Sequence, residues 1–334
     1  MAVRARPNSS VQDGRLKQVA AKRKRSILWL GVGLLVVALV VIGVSRARRA
    51  VLAKEPTIRV YLSDENRVEE MPMEEYVAAV VAGEMKNYWP REALAAQAIV
   101  ARTFALKTLE QMRGKGPMGS DIQAGFKQAQ EFKPENVNDA IRAAVRETRG
   151  KVLTHGGELI DAWFHSNAGG ITALAKEGLN LRGPEPPYTV VKKSPDMTSD
   201  VPAEDRFWSA TFTTAEVEAA LNKIGIPVKG ITGMSIAKRG PSGRAQTITF
   251  HHSGGDVTIG GNDLRVALDP MRMRSNLITS LEVRDGEVRM SGKGFGHGVG
   301  MSQWGAYNMA KAGRRHEEIC TYYFNGVKVE RRWA

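Results

Sequence analysis

The chain has 334 residues, with 48 Lys and Arg, 35 Asp and Glu and a formal net charge of +13. Residues 1–59 carry thirteen of those cations and only two acids, so the rest of the chain is nearly neutral. The high isoelectric point is therefore no evidence that the folded part binds nucleic acid. Cys320 is the only cysteine, which excludes an intrachain disulfide and a cysteine-rich zinc site.

An uncharged stretch at 26–45, rich in Leu, Val, Ile and Gly, is long enough to span the ~30 Å hydrocarbon core of a bilayer. The basic run at 22–25 predicts a cytoplasmic N-terminus, although Arg46, Arg48 and Arg49 weaken that signal. A cleaved signal peptide is the alternative, but its apolar region is usually shorter and is followed by small residues. We predict a basic cytoplasmic tail at 1–25, a single transmembrane anchor at 26–45, a linker at 46–56 and an extracytoplasmic domain at 57–334.

The first half of this domain is predicted to be mainly helical. In chain order we expect a strand at 57–62, helices at 73–85 and 91–109, an irregular loop at 113–133 and a helix at 136–148. Pro90 separates the first two helices, because proline disfavours a helical residue before it. Asn136 or Asn138 is the expected N-cap of the third.

The second half is predicted to be richer in strands. We expect a hairpin at 151–164, a proline-rich crossing at 183–205, a helix at 213–224 capped by Thr214, strands within 234–259 and a hairpin at 278–290. Segregated helices and hairpins favour an α+β fold, with mixed helices and antiparallel sheet, over a doubly wound sheet.

Glu84 stands where a carboxylate is unexpected. It continues the apolar stripe of Tyr76, Val77, Val80 and Val81, since it follows the last two by four and three residues. Burial disfavours the charged form of a carboxyl group, and a protonated carboxyl in a dry cleft suits a general acid near neutral pH. The alternative is that Glu84 only marks the helix end and reaches water.

The helix at 91–109 carries small residues on one ridge, Ala95, Ala98, Ala101 and Ala105, which would let the Glu84 helix approach closely. Two polar residues, Gln97 and Arg102, interrupt its apolar character. Either could reach Glu84 and position a substrate there. For Arg102 the alternative is a solvated surface charge.

Two Gly-rich segments complete the candidate site. One, at 165–170, follows a predicted strand and contains His165 and Ser166. The other, at 292–305, alternates glycines with other residues and ends in polar and aromatic side chains: His297, Ser302, Gln303 and Trp304. Such a surface suits sugar hydroxyls and ring faces. About thirty residues follow, too few for a dinucleotide-binding sheet, and the spacing is not that of a P-loop. For His297 a structural hydrogen bond is the alternative.

Three segments together resemble one family: 75–85, which includes Gly83-Glu84-Met85; 92–103; and 296–305, which reads GHGVGMSQWG. Further matches are His165-Ser166 with Gly169-Gly170, Ser242-Gly243-Arg244 and Gly261-Asn262-Asp263-Leu264-Arg265. The chain resembles the family that includes stage II sporulation protein D and the amidase enhancer LytB.

The resemblance implies a peptidoglycan lytic transglycosylase that cleaves between N-acetylmuramic acid and N-acetylglucosamine and leaves a 1,6-anhydro end. It places the catalytic acid at Glu84. It also implies work on peptide-stripped glycan during forespore engulfment, with a membrane-anchored amidase and a third membrane protein as partners. Some members bind zinc through a His and two Cys. Here His165 stands at the His position without a nearby Cys, so we expect no metal and no other cofactor.

One carboxylate can serve a lytic transglycosylase, because the sugar's own 6-hydroxyl is the nucleophile. We expect Glu84 to act as acid and then as base, whereas ordinary glycosidases use two carboxylates. The expected substrate-binding residues are Gln97, Arg102, His165, Ser166, His297, Ser302 and Gln303. Two alternatives stay open: a non-catalytic amidase modifier or glycan-binding scaffold, and an anchored binder of anionic polymer.

Overall fold

The computed structural model describes residues 54–124 and 130–334. The predicted tail, anchor and most of the linker lie outside the described residues. Within those two ranges, no helix has both the length and the apolar character needed to cross a bilayer.

The described chain combines nine α-helices with short, mostly antiparallel strands. The helices are α1 (Met73–Glu84), α2 (Arg91–Met112), α3 (Asp139–Glu147), α4 (Ala175–Gly178), α5 (Ala203–Arg206), α6 (Thr214–Lys223), α7 (Gly261–Leu268), α8 (Gln303–Lys311) and α9 (His316–Tyr323). The strands are β1 (Thr57–Leu62), β2 (Arg67–Pro72), β3 (Ile122–Gln123), β4 (Lys151–His155), β5 (Glu158–Leu159), β6 (Phe164–His165), β7 (Phe207–Thr213), β8 (Ile231–Arg239), β9 (Ala245–His252), β10 (Gly255–Gly260), β11 (Ile278–Arg284), β12 (Glu287–Lys293), β13 (Met301–Ser302) and β14 (Lys328–Arg331). The predicted α+β class is confirmed.

The larger apolar core surrounds α2, which packs against α1, α3, α8, α9 and β4. The alanine ridge of α2 is fully buried at Ala95, Ala98, Ala101 and Ala105. Small side chains let neighbouring backbones approach, which explains how one helix can contact so many elements. The predicted packing of α1 against α2 is therefore confirmed.

A second core lies under two three-stranded sheets, ordered β10-β9-β8 and β11-β12-β7. Two helices, α6 and α7, pack beside these sheets. The predicted hairpin around Asp285-Gly286 is present, with Asp285 and Gly286 both at positive φ in its turn. The cap of α6 differs by one residue from the prediction: Thr213 accepts from the Glu216 N–H, and Glu216 bonds back to the Thr213 N–H.

One strand pairing was not predicted and positions the candidate site. We expected residues 151–164 to form a single hairpin. Instead β4 and β5 form it, while β6 pairs in parallel with β13, so that Phe164 lies opposite Met301 and His165 opposite Ser302. Since only two residues pair on each side, sequence periodicity could not have revealed this contact. It brings the loop at 165–170 beside the glycine-rich run.

Candidate active site

Glu84 is the last residue of α1, a helix buried around its whole circumference. Tyr76, Val77, Val80 and Val81 are fully buried, as the stripe predicted, and the alanines between them are buried too. Met85 is extended and ends the helix. Glu84 itself is half-buried. The helix therefore leads its terminal carboxylate out of an apolar core to a half-buried position.

The segment at 130–133 crosses the end of α1 and is bonded to it three times. The Tyr76 hydroxyl lies 3.1 Å from Gln130 Oε1, and the Lys133 N–H donates to the Ala79 carbonyl at 3.0 Å. Between them, the Glu131 N–H donates to Glu84 Oε1 at 2.7 Å. This backbone donor is a part of the site that the sequence did not indicate.

Gln303 supplies the second donor to the carboxylate. Its Nε2 lies 3.2 Å from Glu84 Oε2. Gln303 opens α8, which is capped by the Ser302 hydroxyl accepting from the Gly305 N–H. The pairing of β13 with β6 fixes the start of that helix, and the Trp304 N–H donates to the Ser166 carbonyl at 3.0 Å. Of the predicted site residues, only Gln303 contacts Glu84 directly.

The environment makes Glu84 a weaker acid than an ordinary glutamate. Burial raises its pKa to about 7, while the hydrogen bonds from Glu131 and Gln303 act in the opposite direction and the charge of Glu131 adds to the rise. A carboxyl group with this pKa is protonated in a large share of molecules at neutral pH, and its anion has two donors ready. It can give up a proton and take one back.

An aromatic cluster adjoins the carboxylate on its C-terminal side. The ring centroids of Trp89, Trp304 and Tyr307 lie 4.5–5.3 Å apart, and Lys86 lies over the Trp304 ring. Trp304 is buried, and its indole N–H donates to Asp205 at 3.1 Å. The predicted sugar platform is therefore not Trp304 itself. Tyr307 is half-buried, and Tyr88 is the aromatic residue here that is largely exposed.

Arg102 does not reach Glu84 and holds the other end of α1. Its Nε and Nη2 donate to the two oxygens of Glu74 at 3.0 and 2.5 Å, and Nη1 donates to the carbonyls of Ala98 and Lys151. Glu74 Oε1 also accepts from the Trp333 indole N–H. The expected contact with Glu84 is wrong, and so is the alternative of a solvated charge, because the side chain is fully buried.

Gln97 is also fully buried, and neither its Oε1 nor its Nε2 has a hydrogen-bond partner among the described residues. Neither amide atom is therefore hydrogen-bonded to Glu84. Such an unsatisfied amide is uncommon inside a protein.

His165 and His297 lie together, with ring centroids 5.4 Å apart. Val299 orients both rings: its carbonyl lies 3.1 Å from His165 Nδ1, and its N–H donates to His297 Nδ1 at 3.0 Å. Burial lowers the pKa of His165 well below its usual value and lowers that of His297 to about 3, so both rings are neutral at pH 7. In the neutral ring, the tautomer set by Val299 leaves His165 Nε2 as an acceptor, and this buried atom has no partner among the described residues.

The two predicted serines have structural contacts. The Ser302 hydroxyl donates to Asp196 Oδ2 at 2.6 Å besides capping α8, and Ser166 contributes its backbone carbonyl. The fully buried Asp196 also accepts from the N–H groups of Ala168 and Gly170. We had interpreted the segment around Asp196 only as a surface crossing. A single acidic residue after a proline forms no periodic pattern, so the sequence did not indicate that Asp196 would accept several hydrogen bonds.

The donor set near His165 does not fit a zinc site. Cys320 lies elsewhere, buried with its Sγ facing the Ala96 carbonyl. Among the described residues, one group of three potential ligands occurs, Glu92, Glu147 and His316, and it does not include His165. Its members already have partners: Arg91 pairs with Glu147, Glu92 is hydrogen-bonded to His316, and Lys151 lies beside His316. We derive no chemistry through a metal.

Two family profiles match this chain, in two successive regions. The profile of a family described as "Stage II sporulation protein" matches residues 61–155, and that of a domain of unknown function matches residues 164–300. Stage II sporulation protein D of Bacillus subtilis is 31% identical over 304 residues, which are 85% of this chain and 82% of that protein.

Two further relatives have different names. An uncharacterized protein of Brachyspira hyodysenteriae is 31% identical over 78% of this chain and 67% of its own. The amidase enhancer of Bacillus subtilis is 27% identical over 75% of this chain and 39% of its own. The family profile covers Glu84, and the chain belongs to the stage II sporulation protein D family.

Proposed function

We propose that the protein is a membrane-anchored lytic transglycosylase that cleaves the N-acetylmuramic acid–N-acetylglucosamine bond of peptide-stripped peptidoglycan. The observation that carries this proposal is the carboxyl group of Glu84, half-buried, with a pKa of about 7 and two fixed donors on its oxygens. Tyr307 in the neighbouring aromatic cluster is half-buried, and Tyr88, four residues after Glu84 in the chain, is exposed; both rings are suited to sugar faces.

The proposed reaction uses Glu84 twice. The protonated carboxyl first donates its proton to the glycosidic oxygen, and the bond from that oxygen to the anomeric carbon breaks. The resulting carboxylate is stabilised by the N–H of Glu131 and the amide of Gln303. It then accepts the proton of the 6-hydroxyl as that oxygen bonds to the anomeric carbon. The products are a 1,6-anhydro end and a free 4-hydroxyl, no water is consumed, and Glu84 is again protonated.

The intramolecular nucleophile removes the need for a positioned water, since attack by a group already on the sugar has a low entropic cost. Glu131 contributes a carboxylate close enough to raise the pKa of Glu84. Its side chain lies 3.6 Å from Lys133 Nζ. In this proposal Glu131 donates to Glu84 through its backbone N–H and its carboxylate only helps to raise the pKa of Glu84, so Glu131→Gln should still cleave.

The cellular setting is part of the same proposal. The apolar stretch at 26–45 and the basic residues around it support a single-pass anchor, with the N-terminus in the cytoplasm and the site outside. Membership of a sporulation family supports a role in forespore engulfment. The relative named amidase enhancer supports action beside a cell-wall amidase, and a third membrane protein would complete the assembly.

The test is digestion of peptide-free glycan strands by the full-length chain in detergent, with products identified by mass spectrometry. We expect anhydro-muramyl ends from the wild type and from Glu131→Gln, and none from Glu84→Gln. Unchanged activity of Glu84→Gln would overturn the proposal. If the wild type produces no anhydro ends but still stimulates an amidase, the protein is the amidase modifier that the amidase enhancer relative also suggests.

A further inference from the structure

Two buried arginines lie against the loop that carries His297. The Arg274 carbonyl accepts both from Arg265 Nε at 2.9 Å and from the Gly296 N–H at 2.8 Å, so Arg265 lies beside Gly296. On the other side, a Cβ added to Gly298 would lie 2.2 Å from Arg244 Nη2. Gly298 therefore gives the loop room beside the Arg244 guanidinium group, whereas a Cβ on Gly296 would lie 2.6 Å from His165 Cβ.

The two arginines differ in how their charge is balanced. Arg244 donates to the carbonyls of Ile171 and Ala168, and the charges of Glu177 and Asp196 favour its protonated form. Arg265 is only 7% exposed, and among the described residues its side chain has one hydrogen bond, to the neutral carbonyl of Arg274. Burial lowers its pKa to about 10, with no carboxylate acting against that effect.

Arg265 thus carries a buried charge without an ion-pair partner among the described residues. Leaving a charge buried and unpaired is costly in a folded protein. Its two neighbouring histidines, His165 and His297, are neutral and cannot balance it, and its positive charge itself lowers the pKa of both rings. An anion bound next to Arg265 would balance this charge.

The same cluster also lacks a hydrogen-bond donor. The buried Nε2 of His165 is an acceptor without a partner in the described part of the chain. A ligand that fills the cluster should therefore present a carboxylate next to an N–H or O–H group. His297 is half-buried, so the cluster opens to the surface at that ring.

The cluster is connected to Glu84 by one short run of chain. His297 precedes Gln303 by six residues, and β13 holds Ser302 opposite His165 immediately before Gln303 contacts the catalytic carboxyl. On this connection we take a ligand in the cluster to be part of the glycan proposed to react at Glu84.

Resting on the proposed function, we infer that Arg265 binds the free lactyl carboxylate of a peptide-stripped muramic acid residue. This sugar has a carboxylate on its 3-O-lactyl group and an acetamido N–H at the adjacent carbon, the pair of groups that Arg265 and His165 lack. In an unstripped strand the lactyl carboxyl is an amide, which has no charge to offer. Arg265 would therefore make the enzyme select glycan from which an amidase has already removed the peptides.

The test compares two forms of one ligand: peptide-free strands, and the same strands with every lactyl carboxylate converted to a neutral methylamide. Binding is measured with full-length Glu84→Gln, which should not cleave either form. We expect the free carboxylate to bind at least about tenfold more tightly, as for a charge-assisted hydrogen bond. With Arg265→Gln added, both forms should bind equally weakly. Arg284→Gln, at an exposed position on a hairpin, is the matched control and should keep the preference.

Equal affinity of Glu84→Gln for the two ligands overturns the inference, and this result does not depend on whether Arg265→Gln folds. A preserved preference in a folded Arg265→Gln chain overturns it too. Product analysis of the wild type separates this inference from the proposed function. Anhydro products without a preference for the carboxylate would support the transglycosylase activity and overturn the Arg265 subsite. A preference for the carboxylate without anhydro products would support the subsite and overturn the activity.

Discussion

Glu131 crosses the last turn of α1 so closely that a Cβ on Gly83 would lie 2.9 Å from the Glu131 carbonyl carbon. The same crossing aims the Glu131 N–H at Glu84 Oε1. The Gly83-Glu84 pair therefore has a physical explanation: the glycine admits the backbone that supports the neighbouring acid.

Gly83→Ala tests this relationship, because the close crossing should reverse the sign of the change in the free energy of unfolding. In an ordinary helix the change should stabilise by about 1 kcal/mol, because alanine is the better helix former. Here the clash should make it destabilising by about 1–3 kcal/mol. Displacing the Glu131 donor should also raise the pKa of Glu84. Chemical denaturation and the pH profile of cleavage measure the two effects, and a stabilised variant with an unchanged profile would contradict the crossing.

The pH profile of cleavage should follow the protonated fraction of Glu84. In the proposed reaction the acid form of Glu84 acts first, and its pKa is about 7, so kcat/KM should be flat at lower pH and fall about tenfold per unit well above that pKa. Rates on peptide-free glycan between pH 5 and 9 provide the measurement. A rate that rises steadily through this range would show that Glu84 is needed as a base first.

The free energy of unfolding should fall as the pH rises and Glu84 loses its proton. The pKa of Glu84 is raised on folding, so its relative contribution to stability is fully present below the unfolded value near 4.5 and is lost as pH rises through about 7. Glu84→Gln removes this dependence. We expect the variant to gain stability over the wild type between pH 5 and 8, measured as the difference in Tm. A constant difference across that range would indicate that Glu84 titrates with an ordinary pKa.

Gln303→Met should impair the chemical step more than substrate binding. The amide of Gln303 donates to Glu84 and lowers its pKa, so its loss should move the falling limb of the pH profile upward and reduce kcat. Little change is expected in KM. Gln111→Met, an exposed position on α2, is the control. A rise in KM with an unmoved profile would instead place Gln303 in contact with substrate.

Arg102→Met should destabilise the fold by about 3–5 kcal/mol, because it leaves Glu74 without its bidentate partner. The double change Arg102→Met with Glu74→Gln should recover part of that loss, since the unpaired charge is then gone. Denaturant titration measures both. If Arg102→Met folds as well as the wild type but raises KM, the residue binds substrate as first expected.

The local pattern of the sequence was sufficient to predict much of the fold. Helical spacing located α1 and α2, and Asp285-Gly286 located a hairpin, because each of these signals depends on near neighbours in the chain. Glu84 was found as a carboxylate on an apolar stripe for the same reason.

The partners of Glu84 could not be predicted in this way. Glu131 contributes only a backbone N–H, which any residue except proline possesses. Arg102 pairs with Glu74 at the start of α1 and not with Glu84 at its end, because the packing of two helices does not by itself say which end a side chain meets. Asp196 meets Ala168 and Gly170 across 28 and 26 residues and Ser302 across 106, and the β6–β13 pairing depends on strands of two residues.

The carboxyl group of Glu84 becomes a complete acid only through chain segments 47 and 219 residues further on. Since synthesis begins at the N-terminus, Glu84 emerges long before Gln303 exists to meet it. A nascent or truncated chain that lacks α8 would display the carboxylate without its second donor and without the aromatic wall of Trp304 and Tyr307. The order of synthesis therefore postpones the complete site, with both donors on Glu84, until α8 has been made.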